Sequence, residues 1–249
     1  AGAVSGAVRT EAGTAAALEA LNAADTHTIA ILSCFHDPLA ANAQIPMPRI
    51  AVVPEEAPNA FATGRNPENS VVAVTEGILR LLSPEELKGV LAHEIAHIAN
   101  RDILIQTVAG VMASTIVSIA NFMQFAAIFG MGRSSEDGEG GGSNPLMAIV
   151  LAILAPIAAS LIQFAISRSR EYLADASGAR YCGQPLALAA ALGKLQSWNQ
   201  RIPMQNGTPP TAEMFIFAPL FGGGMAKLFS THPDINDRIA RLREMAGVR

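Results

Sequence analysis

Two long uncharged stretches limit what this chain can fold into more than any other feature. Ile103–Met131 and Leu146–Ser167 contain no Asp, Glu, Lys or Arg. Each is longer than the roughly 20 residues that an α-helix needs to cross a bilayer. We therefore predict a transmembrane helical hairpin with an acidic loop at 132–145. A hydrophobic hairpin buried in a soluble core is the alternative, because Asn121 and Pro156 are not typical of membrane spans.

The charges beside these stretches predict how the hairpin is oriented. Arg101 precedes the first span, Arg168 and Arg170 follow the second, and the joining loop has one arginine among three acids. Positively charged flanks favour the cytoplasmic side of a membrane. Since a hairpin returns the chain to the side that it left, the segments before Arg101 and after Arg168 are expected to meet at the cytoplasmic face.

The overall composition agrees with a membrane protein and excludes other classes. Of the 249 residues, 50% are hydrophobic and only 15% are charged. The net charge of -4 leaves no broad basic field, so we expect no nucleic-acid partner. Cys34 and Cys182 form no metal-binding or disulfide pattern and are read as small apolar fillers. His27 and His36 lack a second ligand nearby and are read as surface or packed histidines.

The sequence His93-Glu94-Ile-Ala-His97 predicts a metal site. On a helix, histidines four positions apart project from one face and can bind one ion, while Glu94 lies beside a water on that ion. The preceding residues predict the helix, because Ser83 and Glu86 can cap its first turn reciprocally. This is the arrangement of a zinc-activated hydrolase.

Three short β-branched or apolar runs predict a small mixed or antiparallel sheet. They are Arg49–Val53, Asn59–Thr63 and Ser70–Thr75. A sheet edge beside a metal-binding helix can hold a peptide by strand addition. The candidate substrate-binding edge consists of Asn59, Ala60, Phe61 and Ala62, and a purely structural strand is the alternative. Thr28–Phe35 is compatible with either a strand or a buried helix.

A helical segment that we expect to begin at Arg170 offers a third ligand. Glu171 and Asp175 lie one turn apart on one face. A catalytic zinc site takes three protein ligands, so Glu171 is the candidate third ligand. Asp175 is the candidate acceptor for the far ring nitrogen of a bound histidine. The alternative is that Glu171 pairs with Arg168 or Arg170 on a solvated face.

These residues resemble the HtpX-type membrane heat-shock metalloproteases, which are related to the CaaX-prenyl endopeptidases. The resemblance covers the chain from about Leu39 to its end. It rests on Pro46–Ile50, Pro58–Asn66, His93–Asp102, the apolar hairpin, Glu171–Asp175, Thr231–Pro233 and the pair Arg238-Ile239.

The resemblance implies an α+β, gluzincin-like zinc endopeptidase of the bacterial inner membrane. Such an enzyme would be multi-pass, with its site facing the cytoplasm, and would act in stress response and quality control of misfolded or membrane proteins. The implied site has one Zn²⁺ on His93, His97 and Glu171, Glu94 as general base, His232 and Arg238 steadying the oxyanion, and Asn59 to Ala62 at the substrate-binding edge.

The resemblance also divides the chain into four parts. Residues 1–38 form an N-terminal segment that is atypical, because members usually carry two further membrane helices before the peptidase. The remaining parts are 39–102 with the sheet and active-site helix, 103–167 with the hairpin, and 168–249 with the rest of the peptidase.

Two other functions are compatible with the same residues. One is a membrane scaffold or adaptor that binds zinc without turnover, and the other is a soluble metallopeptidase whose apolar hairpin is core. A complete ligand set with an adjacent base favours the enzyme, because structural zinc sites close the fourth position with protein and use cysteine more often. Protein or peptide substrates and the lipid bilayer are therefore the expected partners.

Overall fold

The computed structural model describes residues 26–128, 145–201 and 233–248. These residues form helices and a three-stranded sheet. The helices are α1 (Thr26–Ala43), α2 (Glu76–Leu81), α3 (Pro84–Ala99), α4 (Asp102–Ile128), α5 (Pro145–Cys182), α6 (Pro185–Arg201) and α7 (Ile235–Met245). The strands are β1 (Arg49–Val53), β2 (Ala60–Gly64) and β3 (Ser70–Thr75). The described part is thus mostly helical with a small sheet.

The sheet is mixed, with the order β1-β3-β2. β1 runs parallel to β3, and β2 pairs with β3 in the antiparallel direction. The central strand β3 is buried along its whole length. Val72 and Val74 point from β3 into the main core with α1 and α3, and Val71 and Ala73 point to the other face. The strand β2 is therefore at an edge of the described sheet.

The helix α3 begins as its sequence predicts. The Oγ of Ser83 accepts from the Glu86 amide at 3.3 Å, and Oε2 of Glu86 accepts from the Ser83 amide at 2.8 Å. Pro84 occupies the first turn, where a missing N–H costs no intrahelical bond. Lys194 of α6 lies 2.7 Å from Glu86 and ties this end of α3 to its neighbour.

Two glycines let neighbouring backbones approach α3 closely. A Cβ at Gly178 of α5 would lie 2.9 Å from the backbone nitrogen of His93, and one at Gly89 would lie 2.9 Å from the backbone of Leu188 in α6. Real Cβ atoms do not approach backbone atoms this closely. The absence of a side chain at Gly178 therefore sets the distance between α5 and the metal-binding turn of α3.

The helices α4 and α5 pack against each other in opposite directions. Asp102 at the start of α4 contacts Arg170, and Gly110 further along faces Gln163. The buried residues of their apolar segments are small: Ala113, Ala120, Ala155 and Ala159. Small side chains let two helices approach closely, as in membrane helix pairs.

Only α4 has the length and composition of a membrane span among the described residues. The segment Asp102–Ala126 has 25 residues and a mean hydropathy of 1.9. Only 11% of its apolar 18-residue stretch is buried. Its exposed large apolar side chains include Val111, Met112, Ile119 and Phe122. The second predicted span, Leu146–Ser167, lies within α5, and a transmembrane hairpin stays a prediction.

Two predicted boundaries differ from the structure. The expectation that a helix begins at Arg170 is wrong, because α5 runs without interruption from Pro145 to Cys182. No glycine or proline lies between Pro156 and Gly178 to break the helix. The change from apolar to charged residues at Arg168 therefore changes the polarity of the helix surface, while the helical backbone continues. The proposed boundary between 167 and 168 therefore falls inside one helix.

The boundary proposed at 38 also falls inside a helix, because α1 runs from Thr26 to Ala43. The ambiguous run Thr28–Phe35 belongs to this helix. The helix α5 ends at Cys182, the following Gly183 has a left-handed φ of 68°, and α6 begins at Pro185. His36 is buried in α1, whereas the side chains of His27 and Cys34 lie outside the described ones.

We expect Gly178→Ala to destabilise the protein by about 1–3 kcal/mol, because the added methyl group overpacks the contact between α5 and α3. The matched control is Gly193→Ala in α6, where the nearest atom to a new Cβ lies 4.0 Å away. This control should be neutral or stabilise by about 0.5–1 kcal/mol. Thermal and denaturant unfolding of the purified variants measure both effects, and equal behaviour of the two variants would contradict the close contact.

Candidate active site

The helices α3 and α5 bring three candidate ligands together. The Nε2 atoms of His93 and His97 lie 3.1 Å apart. The carboxylate of Glu171 on α5 lies 3.6 Å from each of them, through Oε2 and Oε1 respectively. His93 and His97 share a face because they are four residues apart in a helix. Glu171 joins them because Gly178, two turns along α5, packs on the backbone at His93.

These three residues fit a metal ion. Their ligand atoms all lie within 4.8 Å of one another, and all three side chains are at most partly exposed. A tetrahedral zinc ion with ligands at about 2.1 Å would separate them by roughly 3.4 Å. The observed separations of 3.1 and 3.6 Å are close to this value. Two histidines and a glutamate are also a donor set that catalytic zinc takes.

Behind His93 lies a buried ion pair. Oδ1 of Asp175 is 3.0 Å from Nδ1 of His93, and Arg238 of α7 donates to both Asp175 oxygens at 2.7 Å. Burial opposes ionisation of Asp175, but the guanidinium of Arg238 holds the pKa of this carboxyl below its usual range. Nη1 of Arg238 also lies 3.1 Å from Oε2 of Glu171. Arg238, which is fully buried, thus contacts two carboxylates around the ligands.

A second set of contacts, from a histidine to an aspartate to an arginine, lies behind His97. Oδ2 of Asp102 is 2.6 Å from Nδ1 of His97, and Arg170 forms an ion pair with the same carboxylate. Arg170 also donates to the backbone oxygen of Asn100 at 3.0 Å. Sequence reasoning missed both residues. The signal for Asp102 was a lone acid five residues after His97, at the start of an apolar helix.

The alternative reading of Glu171 as a surface residue does not match the structure. Its side chain is 9% exposed and its carboxylate faces the histidines, and the neighbouring Arg170 turns to Asp102 instead. Arg170 could not be assigned from sequence, because its partner lies 68 residues away.

Glu94 is buried beside the candidate ligands. The backbone amide of Ala62 on the edge strand β2 interacts with its carboxyl group and favours the charged form. Burial raises the pKa of its carboxyl, and Glu171 raises it further, against the opposing effect of His93 and His97. A carboxylate with a raised pKa is a stronger base than one at its usual pKa.

The environment of His93 favours its protonated form. Burial lowers the pKa of this imidazole, but the carboxylates of Asp175 and Glu171 outweigh burial and raise the pKa to about 10. A metal ion on Nε2 must therefore displace a proton.

The edge strand β2 lies next to Glu94 and the candidate ligands. The amide of Thr75 donates to the Asn59 oxygen at 2.9 Å, so Asn59 and every second residue after it direct their backbone groups towards β3. Ala60 and Ala62 then direct theirs to the edge, which agrees with the contact between Ala62 and Glu94. Phe61 packs on the face of the sheet away from the main core.

A small cavity borders His97 at the end of β2. It extends from the strand to the first residues of α4 and is lined by Thr63, Gly64, Arg65, Asn66, Pro67, Ser70, His97, Ile98, Arg101, Ile103 and Leu104. His97 is the most exposed of the candidate ligands, with 15% of its side chain accessible. The predicted residue His232 lies outside the described residues.

Comparison with known proteins gives a consistent result. Residues 28–246 match the model of Peptidase family M48. The Protease HtpX homolog of Syntrophobacter fumaroxidans is 56% identical over 207 residues, which are 83% of this chain and 73% of that protein. The Protease HtpX homolog of Pyrococcus furiosus is 56% identical over 209 residues, which are 84% of this chain and 71% of that protein. The Protease HtpX homolog of Desulforapulum autotrophicum is 55% identical over 205 residues, which are 82% of this chain and 65% of that protein.

A solved structure shows the same fold. The crystal structure of S. mikatae Ste24p aligns with 85% of this chain and 49% of its own, with a TM-score of 0.58 and 21% sequence identity. The family match begins at residue 28, eleven residues before the expected start of the resemblance near Leu39. The residues from 28 onward belong to α1, whose Leu32 and Leu39 pack in the same core as α3.

The matches confirm the resemblance to HtpX-type enzymes that the metal-site motif and its neighbours predicted. The chain belongs to Peptidase family M48 and is a metalloprotease.

Proposed function

We propose that this protein is a zinc-dependent endopeptidase of the HtpX type that hydrolyses peptide bonds of misfolded or membrane proteins at the cytoplasmic face of a bacterial inner membrane. The observation that carries this proposal is the convergence of His93, His97 and Glu171 beside Glu94 and an open strand edge. A zinc scaffold without turnover needs neither the buried base nor the edge.

The buried residues divide the chemistry among themselves. His93, His97 and Glu171 hold zinc, which when bound supplies Lewis acidity and makes water easier to deprotonate. The carboxylate of Glu94 takes the proton from the attacking water and returns it to the leaving amine. The amide of Ala62 orients Glu94 for this task. His232 is the predicted donor to the oxyanion, and Arg238 holds the carboxylates of Asp175 and Glu171 in place.

Glu94→Gln should abolish proteolysis and leave zinc binding intact, because the amide can occupy the same space but cannot accept the proton. We expect a loss of at least about 10²-fold in the cleavage rate. Cleavage of an unfolded model protein and metal analysis of the same preparation measure the two properties. Glu85→Gln, an exposed change in the first turn of the same helix, is the matched control.

The two outcomes that oppose this assignment are distinct. Full activity of Glu94→Gln would exclude Glu94 as the base. Stoichiometric zinc in the unsubstituted protein without cleavage of any unfolded substrate would support the scaffold instead.

The edge of β2 is proposed to bind the substrate backbone. The backbone groups of Ala60 and Ala62 are directed to this edge, and the Ala62 amide interacts with the proposed base. Recognition through backbone groups does not depend on side-chain identity, which suits a protease that acts on many misfolded chains. The cavity beside His97 then lies at one end of the bound segment, where it can take a substrate side chain.

A peptide substrate methylated at single backbone amides tests this edge. Because strand residues alternate in the direction of their backbone groups, methylation should raise KM at every second position near the cleaved bond and have little effect between them. Kinetics of a peptide series with one methyl group each measure the pattern. An effect that does not alternate would rule out strand addition.

Membrane anchorage through α4 is the remaining part of the proposal. The exposed apolar face of α4 and the position of Arg101 at its start support a span with its first residue at the cytoplasmic face. Because Asp102 begins α4 and lies against His97, the proposed catalytic site would be at the membrane surface.

Carbonate washing of membranes and cysteine labelling test this topology. The protein should stay in the washed membranes. After replacement of Cys34 and Cys182, a cysteine at Ser135 should react with a membrane-impermeant reagent outside intact cells, whereas a cysteine at Glu85 should not. Release by carbonate would support a soluble metallopeptidase, and labelling at Glu85 alone would reverse the orientation.

A further inference from the structure

The two histidine ligands differ in how their orientation is secured. His93 lies in the middle of the core and is almost fully buried. His97 lies near the end of α3, and 15% of its side chain is accessible. Its imidazole therefore has fewer packing contacts to hold it, and the contact on its Nδ1 atom matters more.

A break in the backbone brings Asp102 to that atom. In an uninterrupted helix, a residue five positions after His97 would point roughly 140° away from it. Here α3 ends at Ala99, and Arg101 adopts a left-handed φ of 54°, which is uncommon for a residue with a side chain. The chain then restarts as α4 at Asp102. The break returns the Asp102 carboxylate to 2.6 Å from Nδ1 of His97.

Arg170 holds Asp102 from the other helix. Its Nε and Nη2 atoms both contact Oδ1 of Asp102, while Nη2 donates to the oxygen of Asn100 at the end of α3. Asp102 is 1% exposed, so its charge requires this partner. Arg170 directly precedes Glu171, and thus one turn of α5 supplies a candidate ligand and supports another.

We propose that Asp102 and Arg170 are positioning residues for the metal site. Asp102 accepts from Nδ1–H of His97, which leaves the lone pair of Nε2 directed at His93 and Glu171, and Arg170 holds the Asp102 carboxylate in this orientation. This inference rests on the proposed zinc site. It matches the arrangement around His93, where Asp175 and Arg238 take the corresponding places.

Equilibrium zinc affinity of the full chain in detergent tests the proposal. Titration against a chromophoric chelator should show zinc affinity about 10–100-fold lower for Asp102→Asn and Arg170→Met, as for other residues that orient metal ligands. Arg170→Lys keeps the charge but loses the contact through two nitrogen atoms. Its zinc affinity should be intermediate between that of these variants and that of the unsubstituted protein. Lys194→Met is the control, because it removes the ion pair with Glu86 in the first turn of α3, about two turns before His93. Its affinity should not change.

Cobalt(II) bound in place of zinc gives a second readout. The visible spectrum of cobalt reports the geometry of its ligands, and it should change in Asp102→Asn and Arg170→Met but not in Lys194→Met. Affinities and spectra equal to those of the unsubstituted protein would overturn the proposal. So would a loss of affinity that Lys194→Met shares, since the effect would then follow from stability alone.

The folding of the variants does not decide the result. If Asp102→Asn fails to fold, Arg170→Lys retains the buried charge pair and still tests the role. Absence of zinc binding by the unsubstituted chain would instead contradict the proposed function, so the two failures can be told apart.

Discussion

The close contact between α3 and α5 is the constraint on which the rest of the site depends. Gly178 permits the backbone of α5 to lie against that of α3 at His93. At this distance Glu171 and Asp175, on the same face of α5, reach the two histidines. A side chain at Gly178 would separate the helices and, with them, the candidate ligands. Backbone packing rather than any single polar contact thus sets the geometry of the candidate metal site.

The second feature of the site is that its many buried charges are paired in a regular way. Each histidine contacts an aspartate through Nδ1, and each aspartate contacts an arginine from another element. Burying a charge without a partner costs several kcal/mol, and each arginine supplies that partner. Because both imidazoles direct Nδ1 to a carboxylate, both present Nε2 to the same point. The pairs therefore serve stability and ligand orientation together.

The site also joins the peptidase core to the apolar helices. Asp102 is the first residue of α4, and Arg170 and Glu171 belong to the same uninterrupted helix as the second apolar stretch. The proposed membrane segment and the candidate catalytic centre are therefore not separate units connected by linkers. They share one helix and one buried ion pair, which gives the packing of α4 on α5 a direct influence on His97.

Local signals in the sequence determined the local structure. The capping residues Ser83 and Glu86 set the start of α3, the His-Glu-x-x-His spacing placed His93 and His97 on one face, and three short apolar runs gave the strands. The one-turn spacing of Glu171 and Asp175 made them the candidate third ligand and the candidate acceptor, and the resemblance to a known family supported Glu171 as a ligand. Only the tertiary structure decided the contacts between distant segments. Asp102 with Arg170, and Ala62 with Glu94, are separated by 68 and 32 residues, and no periodicity or capping rule relates residues so far apart. The physical reason is that helix and strand patterns act over one or two turns, whereas the partner of a buried charge is chosen by how whole helices pack.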